Sequence, residues 1–272
     1  MATDPRVIGI ITCVILVIAS PGLAQTKQGK ATRYGLAFAD RKTTPATPKE
    51  IEHAIKVMGE RMKLLGVSNV IIEPSRAKGE DIQVFFPPGT DVERAAHLLN
   101  TFGVLELKLV AKGTSLPYAT KEEAQEAARA LEGGLDKYEA LPYRPRAEGG
   151  IAPLEGWVIV GKIPVITDAD MLYVRASKSR YTGGYKIDFQ LAPDGAARLG
   201  EATGKHIGDY LAIVLNNEVR SAPVITSQIT DRAQITGNFT QQSAEDLAVV
   251  LNSGSLPRLL LFVSERKVNA SR

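Results

Sequence analysis

The sequence predicts an α+β protein, as its helix starts and strand runs show. Its 272 residues are 44% hydrophobic and 23% charged, a balance typical of a globular chain that buries a core. A capped amphipathic helix begins near Thr47, a second spans residues 90–100, and short β-rich runs precede, separate and follow them. This order predicts a ferredoxin-like layer, in which the helices cover one face of a mixed or antiparallel sheet.

The first residues predict export. An apolar run from Val7 to Ala19 precedes Gly22 and Ala24, which have the small-x-small spacing that signal peptidase accepts. We therefore predict that residues 1–24 are a signal peptide and that the mature protein is exported.

The alternative is an uncleaved anchor in the inner membrane, because residues 7–24 approach the roughly 20 residues needed to span a bilayer. The short uninterrupted run favours cleavage. The sole cysteine, Cys13, lies in this run and lacks the small preceding residue of a lipoprotein cysteine. The mature chain is therefore predicted to have no disulfide and no thiol nucleophile.

The first layer is predicted at residues 47–110, after a polar linker at 25–46 that contains one short strand. Thr47 and Glu50 form a predicted capping box, with Pro48 in the first turn and Gly66 ending the helix. The predicted elements, in order, are a strand at 36–39, a helix at 48–65, strands at 69–73 and 81–87, a helix at 90–100 and a strand at 103–110.

Residues 111–155 are predicted to connect this layer to a second part at 156–265. They contain a helix with a stripe of alanine and a stretch rich in Pro and Gly, where we place the domain division. The second part has predicted strands at 156–162, 171–177, 184–191, 211–215, 233–239 and 258–265, with helices at 193–204 and 240–254. Residues 266–272 are read as a solvated tail.

The stretch "LAIVLNNEVRSAPVI", residues 211–225, predicts a hairpin. Leu211 to Leu215 are apolar on both faces, which favours a strand covered on both sides. Asn216 and Asn217 tolerate positive φ and suit a two-residue turn. Pro223 cannot donate a ladder hydrogen bond, so the returning strand is predicted to be an edge there.

No catalytic, cofactor or metal site is predicted, and the substrate-binding residues are left open. The sequence has no nucleotide-binding glycine motif and no Gly-x-Ser-x-Gly elbow, and "SGSLP" at 253–257 is read as a helix end. His53 and His97 lie on the two helices of the first layer and could together bind a metal. The absence of metal-ligand spacing favours the alternative, in which both are solvated surface side chains.

Thr167 to Asp170, "TDAD", offers two carboxylates, but a Thr-capped turn is the favoured interpretation. The triplets at Asn238 and Asn269 are glycosylation acceptors only in a eukaryotic secretory pathway.

The 33 Lys and Arg residues and the 30 Asp and Glu residues are spread along the chain, so no nucleic-acid partner is predicted. These observations favour a binding or interaction module over an enzyme, since a hydrolase would need a base beside a serine or perturbed carboxylates.

Several segments resemble the SecD family of protein translocase subunits. "IGDYLAIVLNNEVRSAPVI" at 207–225 and "RAQITGNFTQQSAEDLAVVLNSGSLP" at 232–257 are similar to the end of its first periplasmic domain, including the Ile-Ser/Thr-Gly-x-Phe-Thr step. "TPKEIEHAIKVMGERMKLLGVSNVII" at 47–72 resembles its first helix, and "VGKIPVITDAD" at 160–170 resembles the start of its head subdomain. The similarity spans residues 45–265 and is weaker at 111–150.

The resemblance implies a non-catalytic domain with a base and a head that contacts preproteins or docks on the Sec translocon. It departs from the family in "GERMKLLGVS", where the arginine pattern differs. SecD continues into membrane helices that couple proton flow to motion, whereas this sequence ends at Arg272, so no proton-driven cycle is expected from it alone. The alternative is a stand-alone envelope interaction protein that kept the fold without a transport role.

Overall fold

The computed structural model describes residues 30–147, 150–151, 153–180 and 183–269. They form two compact units: unit 1 contains the described residues up to Asn100 together with those from Arg258 onward, and unit 2 contains Thr101–Pro257. The predicted signal peptide, its alternative as an anchor and Cys13 lie outside the described residues.

The strands and helices are numbered along the chain. The strands are β1 (Lys30–Phe38), β2 (Ile71–Pro74), β3 (Ile82–Phe86), β4 (Leu105–Leu109), β5 (Tyr138–Tyr143), β6 (Arg146–Ala147), β7 (Gly150–Ile151), β8 (Gly156–Gly161), β9 (Ile166–Thr167), β10 (Met171–Lys178), β11 (Tyr185–Leu191), β12 (Leu211–Leu215), β13 (Glu218–Ser221), β14 (Arg232–Phe239) and β15 (Leu260–Asn269). The α-helices are α1 (Pro48–Leu65), α2 (Val92–Asn100), α3 (Lys121–Ala130), α4 (Gly134–Lys137), α5 (Pro193–Lys205) and α6 (Gln241–Ser253), and Asp168–Asp170 form a 3-10 turn.

Unit 1 is a ferredoxin-like layer whose last strand comes from the far end of the chain. Its sheet has the order β15–β1–β3–β2, and every neighbouring pair is antiparallel. The prediction that residues 103–110 supply the fourth strand is wrong, because β4 pairs with β12 and β9 in unit 2. Alternation of side chains identifies a strand but does not identify its partner.

The predicted linker also contains more structure than expected. Residues 30–38 form β1, which pairs with β15 along its whole length and with β3. Its first half contains polar side chains such as Thr32 and Arg33, which conceal the strand pattern. Arg33 is accommodated because Glu80 and Gln83 accept its hydrogen bonds.

The predicted start and end of α1 are confirmed. The Thr47 N–H donates to Glu50 Oε2 at 2.8 Å, and the Glu50 N–H donates to Thr47 Oγ1 at 3.3 Å. Gly66 ends the helix at φ 80°, a conformation that a residue with a Cβ rarely adopts. The buried face of α1, which includes Ala54, Met58 and Met62, belongs to the core of unit 1, and the helix packs against β2 and α2.

Unit 2 contains two principal sheets. The six-stranded sheet has the order β8–β5–β13–β12–β4–β9, and a bridge between Val110 and Val160 brings the end of β4 against β8, so the sheet curls around a small apolar interior. The three-stranded sheet has the order β10–β11–β14. The main core of the unit contains Leu105, Ile213 and Phe189 and includes side chains of both sheets, α5 and α6. Residues 111–155, predicted as a connection, contribute α3 and β5 to this unit, and the contact pattern divides the chain at Asn100 and Arg258 instead.

The first strand of the predicted hairpin, residues 211–215, and its two-residue turn are confirmed. β12 pairs with β13 on one edge and with β4 on the other. Ala212 and Val214 belong to the interior of the curled sheet, whereas Leu211 and Ile213 belong to the larger core. Asn216 and Asn217 have φ values of 54° and 63°.

The sequence predicts a sheet edge at Pro223, but this residue lies after the end of β13 and outside the strand. β13 ends at Ser221 and pairs with β5 as well as β12, so it is an interior strand. The Pro223 carbonyl still accepts a hydrogen bond from the Leu211 N–H at 3.0 Å. Because Pro223 lies outside β13, its missing N–H removes no hydrogen bond from the pairing of β12 with β13.

Candidate functional site

An apolar cleft of about 210 Å³ opens on the surface of unit 2. Buried side chains of β4, β12 and β14 form its floor, and α6 contributes one wall. The lining residues are Leu105, Tyr143, Pro145, Ile213, Leu215, Arg220, Ser221, Ile235, Thr236, Gly237, Asn238, Phe239 and Leu247. The cleft is thus an extension of the main core of unit 2 to the surface.

The rim of the cleft is an irregular part of β14. In the ladder with β11, Ile235 pairs with Ile187 and Phe239 pairs with Tyr185. Three residues of β14, 236–238, therefore stand opposite a single residue of β11, and the register assigns them no partner. Ile235 and Phe239 are buried while the three residues between them are exposed, so the bulge presents backbone to solvent beside apolar side chains.

Two arginines at the mouth of the cleft share one carboxylate. Arg220 is paired with Glu218 at 2.6 Å, and Arg144 reaches the other oxygen of the same carboxylate at 3.1 Å. Burial lowers the pKa of Arg220, and Glu218 opposes that shift. Tyr143 lies on the same wall, where burial and then the charge of Glu155 raise its pKa. One carboxylate thus faces two guanidinium groups.

The solvent face of the three-stranded sheet is also basic. It presents Arg175, Lys186 and Arg232 around a broad depression, with Asp188 at the centre. Burial by itself would raise the pKa of Asp188, but hydrogen bonds from Lys186 and Ser177 lower it overall. Lys186 Nζ lies 2.6 Å from the Asp188 carboxylate. Arg175 and Lys186 therefore share Asp188, whereas Arg232 pairs with Asp231 at 3.7 Å, which leaves one more cation than carboxylates among these side chains.

The side chains that the sequence singled out do not gather into one site. His53 and His97 are exposed on α1 and α2. His206 lies in unit 2, with Nδ1 2.9 Å from Asp209 Oδ2. Within the described residues, no group of three or more His, Cys, Asp or Glu side chains is arranged to hold a metal ion.

The capped-turn interpretation of "TDAD" is confirmed. The Thr167 N–H donates to Asp170 Oδ2 at 2.9 Å, and Asp170 pairs with Arg198 at 2.5 Å. Burial raises the pKa of Asp168, the other carboxyl of this turn. The two acids are thus used by the fold and by an ion pair.

Known proteins resemble both units. The family model described as "SecDF, P1 head subdomain" matches residues 145–258. The protein translocase subunit SecD of Aquifex aeolicus is 37% identical over 223 residues, which cover 81% of this chain and 40% of that protein. The corresponding subunit of Koribacter versatilis is 28% identical over 245 residues, which cover 89% of this chain and 43% of that protein. The chain belongs to the SecD family.

Solved structures agree with this family assignment and with the predicted α+β class. SecDF in its super-membrane-facing form has a TM-score of 0.63 at 28% identity and matches 91% of this chain and 32% of its own. A second SecDF structure, described as a membrane component that enhances protein export, has a TM-score of 0.60 at 28% identity, and the match covers 87% of this chain and all of that one. The chain spans about 40% of the length of the curated SecD relatives it matches.

The cleft lies mostly within the segment that matches the SecDF head model. Among the lining residues, only Leu105 and Tyr143 precede residue 145. Sequence reasoning missed the cleft, although it quoted "ITGNFT" as part of the SecD pattern. Thr236, Gly237 and Asn238 break the alternation of β14, and that break was the available signal for a bulge.

Among the helices that the structure describes, none combines the length and the hydrophobicity needed to cross a membrane.

Proposed function

We propose that this SecD-family chain takes part in protein translocation on the periplasmic side of the membrane by binding unfolded or emerging polypeptide at its head cleft. The observation that carries the proposal is the apolar cleft bordered by the exposed bulge of β14. The family relationship supports the process, and the cleft supports the substrate class.

The chemistry of the cleft suits a polypeptide. Its volume of about 210 Å³ accommodates one or two side chains and is below the range of about 300–1,000 Å³ that is common for small-molecule sites. Its floor is aliphatic and aromatic, and Arg220 on its wall is already paired with Glu218. A site of this kind binds through apolar burial and backbone contacts, with little demand on side-chain identity.

The test fills the cleft from its rim. Thr236→Trp places a large ring at an exposed position that lines the cleft, and Gln234→Trp places the same ring on the same strand, where it faces the basic depression. Binding of fluorescently labelled, reduced and carboxymethylated lactalbumin is measured by anisotropy. We expect Thr236→Trp to weaken binding about tenfold or more and the control to retain it. Absence of binding by the unmodified protein, or equal loss in both variants, would contradict the proposal.

Docking on the Sec translocon is the second candidate partner, favoured by the basic face of β10, β11 and β14. Reversing the charge of Arg175 and Arg232, whose side chains are 61% and 76% exposed, should abolish co-purification with the translocase and leave lactalbumin binding intact. Persistence of co-purification in that double variant excludes this face. Co-purification of the unmodified chain with other envelope proteins in place of the translocase would instead support a stand-alone role without transport.

A further inference from the structure

We propose that polypeptide bound at the cleft adds to β14 as an extended strand, with alternate side chains in the cleft and backbone hydrogen bonds to residues 236–238. The inference rests on the proposed function and specifies the conformation and charge of the segment that binds. The geometry of the β14 edge of the three-stranded sheet, compared with that of the β10 edge, carries it.

The two edges differ in what lies beside them. Among the strands that the structure describes, β10 and β14 each pair with β11 alone, and at the β10 edge the Asn252 side chain of α6 exchanges hydrogen bonds with the Val174 backbone. At the β10 edge, the register shift leaves Leu172 without a β11 partner and 64% exposed. At the β14 edge, the residues without a ladder partner border the cleft. Exposed strand edges template the pairing of further strands, and only the β14 edge combines this with adjacent apolar volume.

The dimensions fit one short strand. β14 has 8 residues, and an added strand of about 5–6 residues is typical of sheets. Because successive side chains of a strand point to opposite faces, every second side chain of the added segment would face Ile235 and Phe239 on the cleft floor. The short strand β6 contacts β14, but among the described strands it pairs with β7 and not with β14.

The charged side chains around the cleft predict which residues flank the bound segment. At the cleft mouth Arg144 and Arg220 share Glu218. On the adjoining sheet face beyond the bulge, Arg175 and Lys186 share Asp188, and Arg232 pairs with Asp231. The end of an added strand at the sheet face would therefore meet one excess positive charge, whereas Glu218 and Glu155 balance the two arginines at the mouth. The preferred occupant is an extended, unfolded segment with apolar residues at alternate positions and an acidic residue at the end that meets the sheet face.

The experiment tests the backbone directly. A short synthetic peptide of alternating leucine and threonine, with glutamate at both ends, is compared with two derivatives N-methylated at alternate positions of opposite parity. A strand directs successive N–H groups to opposite edges, so one derivative should lose binding about tenfold or more and the other should bind like the parent. A lysine-flanked parent should bind more weakly than the glutamate-flanked one.

Amide hydrogen exchange provides the matched control within the protein. Saturating peptide should slow the exchange of the residue 236–238 amides and leave the Leu172 amide on the β10 edge unchanged. Equal binding of both methylated derivatives, or protection at β10, would overturn strand addition while lactalbumin binding upheld the proposed function. If lactalbumin also failed to bind, the proposed function would be contradicted as well. A preference for the lysine-flanked peptide would contradict the proposed charge of the flanking residues.

Discussion

Replacing Glu80 by glutamine should destabilise unit 1 in a pH-dependent way. Glu80 pairs with Arg33 on the sheet, and the two side chains are only 7% and 12% exposed. Ser264 Oγ and Ser75 Oγ each donate a hydrogen bond to the carboxylate at 2.7 Å. These contacts, above all the hydrogen bonds from Arg33, lower the pKa of Glu80 from 4.5 to about 2.

The pKa shift sets the magnitude. At about 1.4 kcal/mol for each pKa unit, a shift from 4.5 to about 2 corresponds to at most about 3 kcal/mol. The folded pKa is depressed, so this stability is fully present above pH 4.5 and is lost as the pH falls towards 2. We expect Glu80→Gln to lower the free energy of unfolding by about 2–3 kcal/mol near neutral pH and by much less at acidic pH.

Native-state hydrogen exchange of the slowest amides in β1 and β3 measures this free energy within unit 1. The matched control is Glu60→Gln, which removes a carboxylate from an exposed pair with Lys63 on α1. That pair should contribute less than about 1 kcal/mol. The reasoning would be refuted if Glu80→Gln cost no more than the control, or if its cost were the same at neutral and acidic pH.

Three further substitutions test the packing of each unit. Gly35→Ala would place a Cβ 2.3 Å from the Glu80 carboxyl carbon, so hydrogen exchange in β1 should show a loss of about 1–3 kcal/mol that shrinks in a Glu80→Ala background. The Lys108 side chain is 5% exposed and lies between the carboxylates of Glu106 and Glu139. Lys108→Met should lower the free energy of unfolding by about 3 kcal/mol near neutral pH, and by less once the carboxylates are protonated. Urea unfolding followed by Trp157 fluorescence measures this loss. Asn216→Ala should cost about 1–2 kcal/mol in the same assay, because its Oδ1 accepts hydrogen bonds from two backbone amides at 2.9 and 3.0 Å and its φ is positive.

Local signals in the sequence predicted the elements that depend on neighbouring residues. The capping box of Thr47 and Glu50 joins residues three positions apart, and the turn at Asn216 and Asn217 depends on the conformational freedom of two side chains. The apolar run at 211–215 predicted burial on both faces for the same reason. Such patterns can be recognised in the sequence without knowing which strand is the partner.

The sequence by itself determined the α+β class, the caps, the central hairpin and the SecD resemblance, since each is encoded in contiguous residues. Tertiary structure alone decided that β15 closes the first sheet, that β4 belongs to unit 2 and that Arg33 lies in a strand. Arg33 reaches Ser264 across 231 positions, and no local pattern specifies a contact of that range. The cleft arises in the same way, because β4, β12, β14 and α6 supply its walls from separate parts of the chain and acquire an apolar opening only when they pack together.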